Sequence, residues 1–211
     1  MKRNNKNKKI SKLKKNAFEL WKNYINDAFS YIKESRNYVY SIMGLFIFFV
    51  IIGFFIIPLN TEISSLINEA IEEILLKTTS LSGLELMLFI FINNLTVSFY
   101  GIFLGFFFGV FPILNSIVNG SVIGYVFAKV YGVTGGISSF WMIFPHGVFE
   151  LPAVFISLGL GVRFGTFMFS KNALSELKHR FIGSIKVFFF VIMPLLVLAA
   201  IIEGVLITFF K

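Results

Sequence analysis

Residues 39–57, VYSIMGLFIFFVIIGFFII, decide the class of fold, because they hold no charged side chain and are followed by Pro58. A helix of about 20 apolar residues crosses the roughly 30 Å hydrocarbon core of a bilayer. Similar runs recur through the 211 residues, of which 56% are hydrophobic and 29 are phenylalanine, and the mean hydropathy is +0.82. The sequence therefore predicts an all-α polytopic membrane helix bundle.

Five transmembrane helices are predicted from these apolar runs. They cover residues 39–57, 84–111, 115–130, 137–164 and 181–210. With short connections they form one membrane domain, residues 38–211, which follows a basic cytoplasmic part, residues 1–37. The chain has no cysteine, which excludes disulfides, thiolate chemistry and cysteine-based metal sites.

Residues 1–37 carry eleven Lys and Arg against three acidic residues. The first ten residues are expected to be disordered. Apolar residues then recur at spacings of three and four from Leu13 to Ile32, which predicts a basic amphipathic helix. Its apolar face either lies on an anionic membrane surface or packs on the protein's own cytoplasmic loops. We interpret the basic residues as a membrane anchor and expect no nucleic-acid partner.

A second amphipathic helix, acidic in character, is predicted over residues 60–78. Asn60 or Thr61 can cap its start. Its apolar residues form one helical stripe, and four glutamates lie off that stripe: Glu62, Glu69, Glu72 and Glu73. We expect this helix on the extracytoplasmic side of the membrane.

The orientation follows from the distribution of Lys and Arg among short loops. The basic N-terminal part and the connection at residues 165–180, with Lys171, Lys178 and Arg180, are both predicted to be cytoplasmic. Five crossings satisfy this and give a cytoplasmic N-terminus and an extracytoplasmic C-terminus. A re-entrant third span would move residues 165–180 outside, against the rule.

Small residues recur at intervals of four along three of the predicted spans. Because helices in lipid gain little from hydrophobic burial, close backbone approach through small residues is what brings them into contact. The stripes predict tight packing within one chain or between copies, and we expect a homo-oligomer. Their members are Gly101, Gly105 and Gly109 on span 2, Gly120 and Gly124 on span 3, and Ala153, Ser157, Gly161 and Gly165 on span 4.

Polar groups accompany these stripes and predict an intramembrane cluster where spans 2, 3 and 4 meet. Its expected members are Asn93 or Asn94, Asn119, His146 and Glu150. His146 and Glu150 are four residues apart and can touch along a helix. Pro145, Gly147 and Pro152 predict a helix break beside them, with a half-helix starting near His146.

Three interpretations of this cluster stay open. Buried polar groups act as interhelical glue in many membrane proteins, intramembrane ionisable residues mark transport or ion pathways, and a perturbed pair can serve catalysis. We assign no catalytic residue, metal or cofactor, because one histidine, one glutamate and some amides are a poor ligand set for zinc. His179 is expected to be solvated in the cytoplasmic loop.

The same residues carry a family resemblance. The pairs Asn93-Asn94 and Asn119-Gly120, the glycines Gly101 and Gly105, and the block PHGVFELPA at residues 145–153 resemble the stage II sporulation protein M family, in an archaeal-type member. The resemblance covers roughly residues 86–165, with span 5 as the expected last helix. It implies a multi-pass protein of the cell membrane with about five helices.

The resemblance also implies a function. In spore-forming bacteria the member that gives the family its name is a membrane scaffold for peptidoglycan hydrolases during engulfment. We therefore expect a non-enzymatic scaffold or assembly factor for a membrane complex, with the lipid bilayer and other membrane proteins as partners. The alternatives are a channel or transporter subunit with a polar site at His146 and Glu150, and an intramembrane hydrolase with Glu150 as base.

Overall fold

The computed structural model describes the backbone of residues 2–134 and 138–209 and the side chains of residues 18–133, 147, 148 and 150–202. Seven α-helices follow in chain order, and the described residues contain no strand. They are α1 (Lys2–Phe55), α2 (Thr61–Thr78), α3 (Gly83–Phe103), α4 (Val110–Thr134), α5 (Ser138–Gly165), α6 (Ala173–Val187) and α7 (Met193–Phe209). Short 3₁₀ turns cover Ile57–Leu59, Leu104–Phe106 and Thr166–Phe169, and a π-helical turn, Phe188–Ile192, joins α6 to α7.

Five of the helical stretches are long and apolar enough to cross a membrane. They are Phe18–Leu59, Gly83–Phe106, Val110–Val133, Glu150–Phe169 and Ala173–Ile202. The predicted all-α membrane bundle is therefore confirmed.

The first helix is longer than predicted. The helix α1 begins at Lys2, where the sequence predicts disorder, and passes the expected domain boundary after residue 37 without a break. At 1.5 Å per residue its 54 residues measure about 80 Å. Because this far exceeds a hydrocarbon core of roughly 30 Å, a large part of α1 lies beyond the core.

The turn between α3 and α4 also differs from the prediction. Span 2 was expected to continue to residue 111, but α3 ends at Phe103, and Phe108 and Gly109 in the turn that follows both have a positive φ, 56° and 71°. Only glycine adopts this region without strain. Pro112 does not delay α4, because it lies in the first turn, where a missing N–H loses no helical hydrogen bond. The helix α4 therefore starts at Val110 instead of residue 115.

The predicted break at Pro145, Gly147 and Pro152 is absent, since α5 is one helix from Ser138 to Gly165. A proline removes one backbone donor but need not end a membrane helix when the freed carbonyl finds another partner.

The connection expected at residues 165–180 is also shorter, because α6 already begins at Ala173. The π-helical turn ends two residues before Pro194, which has no N–H to continue the α-helical pattern.

The long helix α1 packs parallel to α4 and antiparallel to α5. On α4, the carbonyl oxygens of Phe46 and Val50 lie against Gly120 and Gly124, so residue numbers rise together along both helices. On α5, Gly159 lies against Val39 while Phe155, earlier in the chain, stacks edge-on with Phe46. The spans thus alternate in direction around α1.

The glycines of α3 and α5 meet each other within this one chain. A Cβ on Gly161 would collide with the carbonyl oxygen of Gly101, and one on Gly105 would collide with the backbone of Gly161. Gly165 lies against Gly105 and the turn at Gly109. Gly109 is therefore part of the contact although it lies in the turn and not, as expected, on the helix of span 2. The homo-oligomer stays a prediction.

The predicted amphipathic face of α1 divides into two parts. Ala28 and Tyr31 are buried against α6, where Gly183 leaves room for the Tyr31 ring. Leu20 and Trp21 are 57% and 60% exposed. The C-terminal half of this face therefore packs on the protein itself.

Two glycines on α1 provide a matched test of this packing. A Cβ on Gly53 would collide with the carbonyl oxygen of Ser121 on α4, whereas one on Gly44 has no atom within 4 Å. We expect Gly53→Ala to destabilise the bundle by about 1–3 kcal/mol, the usual cost of overpacking, and Gly44→Ala to be neutral. Thermal unfolding in mild detergent measures both, and equal unfolding midpoints for the two variants would contradict the packing.

Candidate functional site

The polar cluster that was expected between spans 2, 3 and 4 stays a prediction. Asn93 is exposed, and Asn94 and Glu150 are half-buried. Asn119 is exposed and donates its side-chain amide to the carbonyl and side-chain oxygens of Asn115, at 2.9 and 3.0 Å on the same helix. The side chain of His146 lies outside the described residues.

A larger polar cluster, the arginine network, lies where α1, the C-terminal end of α5 and α6 meet. Its members are Tyr31, Glu34 and Ser35 on α1, Arg163 on α5, Thr166 and Ser170 in the following turn, and Glu176 and Arg180 on α6. It ties residues more than 120 positions apart in the chain. The network therefore fixes α1 against the second half of the bundle.

Arg180 is the buried centre of the network, with 9% of its surface exposed. Its Nε donates to Glu176 at 2.9 Å, and its terminal nitrogens donate to Thr166 Oγ1 at 2.7 Å and to the carbonyl oxygen of Arg163. A buried charge is tolerated when it is paired and hydrogen-bonded. The guanidinium also lies at the C-terminal end of α5, where a positive charge is favourable to the helix dipole.

Arg163 makes the contacts to α1. It donates to Ser35 Oγ at 2.7 Å and to Glu34 at 3.0 Å, and its guanidinium lies 4.3 Å from the centre of the Tyr31 ring. The planar guanidinium of arginine can form these hydrogen bonds and stack on a ring at the same time, which the ammonium group of lysine cannot do. Tyr31 connects the two arginines, because its ring lies against Arg163 and its hydroxyl donates to the backbone carbonyl of Arg180 at 3.2 Å.

A charged groove of about 280 Å³ runs beside the network between α1 and α6. His179, expected in a loop, lies on α6, and its Nε2 is 3.6 Å from the carboxylate of Glu34. Further along the groove Lys186 pairs with Asp27 at 2.6 Å. An ion pair thus joins the two helices at one end of the groove, and a histidine of α6 lies beside a carboxylate of α1 at the other.

The chemistry available in the network is structural. The donors of Arg163 and Arg180 are bonded to groups of the same chain. Among the residues with described side chains, no three His, Cys, Asp or Glu are placed to hold a metal ion. The arrangement holds helices together and offers no set of reacting atoms.

Sequence reasoning missed this network because its partners are distant in the chain. Arg180 was expected in a loop, and Glu34 and Ser35 were not predicted to belong to any site. One local signal was present: Glu176 and Arg180 are four residues apart, a spacing that pairs charges on a helix and so indicates that residues 173–180 are helical.

Five long apolar helices and a buried structural arginine define a helical integral membrane protein. The chain belongs to the stage II sporulation protein M family, whose family model matches residues 42–207. This confirms the resemblance that the sequence carries. Comparison with curated proteins and with solved structures gave no match. The matched region contains Arg163 and Arg180, whereas their α1 partners precede it.

Removing the guanidinium of Arg163 should loosen α1. We expect Arg163→Ala to lower the free energy of unfolding by about 2 kcal/mol, because hydrogen bonds to a charged group contribute about 1.5–3 kcal/mol and Ser35 is fully buried. The control is Arg36→Ala, which removes an exposed arginine on α1 and should change stability by less than about 0.5 kcal/mol. Thermal unfolding of both variants in detergent decides, and equal losses would contradict the role given to Arg163.

Proposed function

We propose that this chain is a non-enzymatic scaffold that presents α2 to a partner protein of a membrane complex. The observation that carries the proposal is that α2, eighteen residues long, has no buried residue. An element of this length that takes no part in the core is free for contacts with another molecule.

The helix α2 is nevertheless held at its start. Asn60 caps it, as predicted, by accepting from the backbone N–H of Ile63 at 3.0 Å, and Ser64 donates to the carbonyl of Ile57 at 2.8 Å. The buried Tyr125 of α4 donates to Asn68 at 2.9 Å. These contacts orient the first half of α2, while its second half extends away from them.

The surface of α2 combines two kinds of contact. Leu66, Leu75 and Leu76 are 61%, 57% and 74% exposed, beside a face that carries four glutamates. Lys77 donates to Glu73 at 2.6 Å, and this hydrogen bond holds the pKa of the Glu73 carboxyl below its usual range. An apolar stripe flanked by carboxylates suits a basic, amphipathic partner surface.

The rigidity of the rest of the bundle favours a scaffold role. The glycine contacts bring helix backbones together, and the arginine network joins α1 to α5 and α6. The family membership points the same way, because the resemblance implies a scaffold role.

For the orientation, we propose that the arginine network lies at the cytoplasmic end and α2 at the extracytoplasmic end of a five-span protein of the cell membrane. Lys171 and Lys178 lie near the network, in agreement with the excess of positive charge in cytoplasmic loops. The parallel direction of α1 and α4 and the antiparallel direction of α5 also support a third span that crosses fully.

The docking role of α2 can be tested by site-specific photo-crosslinking in native membranes. A photoreactive residue at Leu76 should give a discrete protein adduct, and the double variant Glu69→Lys with Glu72→Lys should abolish it by charge repulsion. The matched control is a photoreactive residue at Phe169, which is 78% exposed at the other end of the bundle and should not give the same adduct. Adducts to lipid alone from Leu76 would overturn the proposal, and an adduct of twice the chain mass would identify a second copy as the partner.

A transport role is the second candidate, and it rests on one observation. Glu150 is a half-buried carboxyl within the helix α5, and intramembrane ionisable residues mark ion pathways in many membrane proteins. If this candidate is correct, liposomes containing the protein should show a proton or cation flux that Glu150→Gln abolishes. The scaffold proposal expects no flux above that of empty liposomes.

A further inference from the structure

A cavity of about 680 Å³ lies at the surface where the C-terminal ends of α3 and α5 meet α6. Four phenylalanines line it: Phe103, Phe106, Phe164 and Phe181. The cavity opens outwards, because Phe181 is 43% exposed and Leu174 on its rim is 80% exposed. Its size lies within the range of about 300–1,000 Å³ that small-molecule sites occupy.

The helix α6 separates this cavity from the arginine network. Arg180 and Gly183 face α1 and α5, whereas Leu174, Lys178 and Phe181 line the cavity. Spacings of three and four residues place the latter three on one side of the helix. The charged interior and the apolar cavity are therefore two separate environments on the two sides of one helix.

Lys178 differs from the other basic residues of α6. Arg180 pairs with Glu176 and Lys186 pairs with Asp27. Lys178 is exposed and forms no ion pair with any acidic residue whose side chain the structure describes. Its positive charge at the edge of an aromatic cavity is thus left for an external anion.

We propose that this cavity binds an anionic phospholipid, with one acyl chain among the four phenylalanines and the phosphate beside Lys178. The cavity lies at the ends of apolar spans, where lipid is the surrounding molecule, and basic pockets between membrane helices are known places for anionic head groups. An acyl chain has no polar groups to satisfy. A peptide segment would bring backbone N–H and C=O groups into phenylalanine walls that offer no side-chain partner.

This lipid site does not depend on the scaffold role of α2, which lies in another part of the chain. A negative photo-crosslinking result at Leu76 leaves the lipid site unaffected, and the absence of bound lipid leaves α2 unaffected.

Native mass spectrometry of the intact, detergent-purified chain tests the site directly. The protein is equilibrated with phosphatidylglycerol or phosphatidylcholine of the same acyl chains. We expect the wild-type protein to retain phosphatidylglycerol roughly fivefold more than phosphatidylcholine, the ratio expected from one basic residue near an anionic head group. Lys178→Glu should remove this preference.

Two variants make the result specific. Lys171→Glu removes the same charge from an exposed lysine that does not line the cavity, and it should keep the preference. Leu177→Trp adds volume to the cavity lining and should lower retention of phosphatidylglycerol severalfold, and its thermal unfolding midpoint shows that the variant is folded.

The proposal is overturned if the wild-type protein retains no lipid or retains the two lipids equally. It is also overturned if Lys178→Glu and Lys171→Glu lose the preference equally, or if a folded Leu177→Trp variant shows undiminished retention. A lipid-free dimer in place of a lipid-bound chain would instead assign the cavity to a second copy, which also overturns the lipid site.

Discussion

The close contact of helix backbones at glycines is the interaction on which the rest of the bundle depends. Water does not drive helices together inside a bilayer, so their association rests on van der Waals packing at short range. Gly53, Gly120 and Gly124 allow α1 and α4 to approach until carbonyl oxygens occupy the space of the missing side chains, and Gly105 and Gly161 do the same for α3 and α5. These two seams set the positions of the spans before any polar contact is made.

The arginine network adds polar contacts to the packing at the glycine seams. Its members lie at the end of α5, where the backbone carbonyls of the last turn have no partner within the helix. Arg180 supplies donors to that end and Arg163 reaches across to α1. The α1 residues of the network precede the region that the family model matches, whereas Arg163 and Arg180 lie within it.

Local properties of the sequence predict much of the fold. The spans were found because hydropathy over about 20 residues is a property of the segment itself, and Asn60 was found as a cap because capping is local. The turn after α3 was placed too late, since the positive φ values of Phe108 and Gly109 depend on the packing of Gly109 against Val162 of α5. A proline pattern at residues 145–152 predicted a break that the helix does not have.

The site was harder to predict than the spans, because burial of a polar residue depends on distant partners. Asn119 was expected to belong to an intramembrane polar cluster, but its side-chain amide donates to Asn115 on its own helix. Arg180 was expected in a basic loop but is buried. Its acceptors lie within 17 residues of it, but its burial also depends on α1, whose Tyr31 donates to the Arg180 carbonyl from 149 residues away. No pattern within a window of the sequence carries that information.

The continuity of α1 has a mechanical consequence. A helix of 54 residues without a hinge is a stiff rod, and the short turn after Phe55 connects it directly to α2. The arginine network holds α1 near Glu34, and the glycine contacts with α4 hold it again near Val50. Because α1 is fixed at two points along its length, α2 keeps a constant position relative to the arginine network.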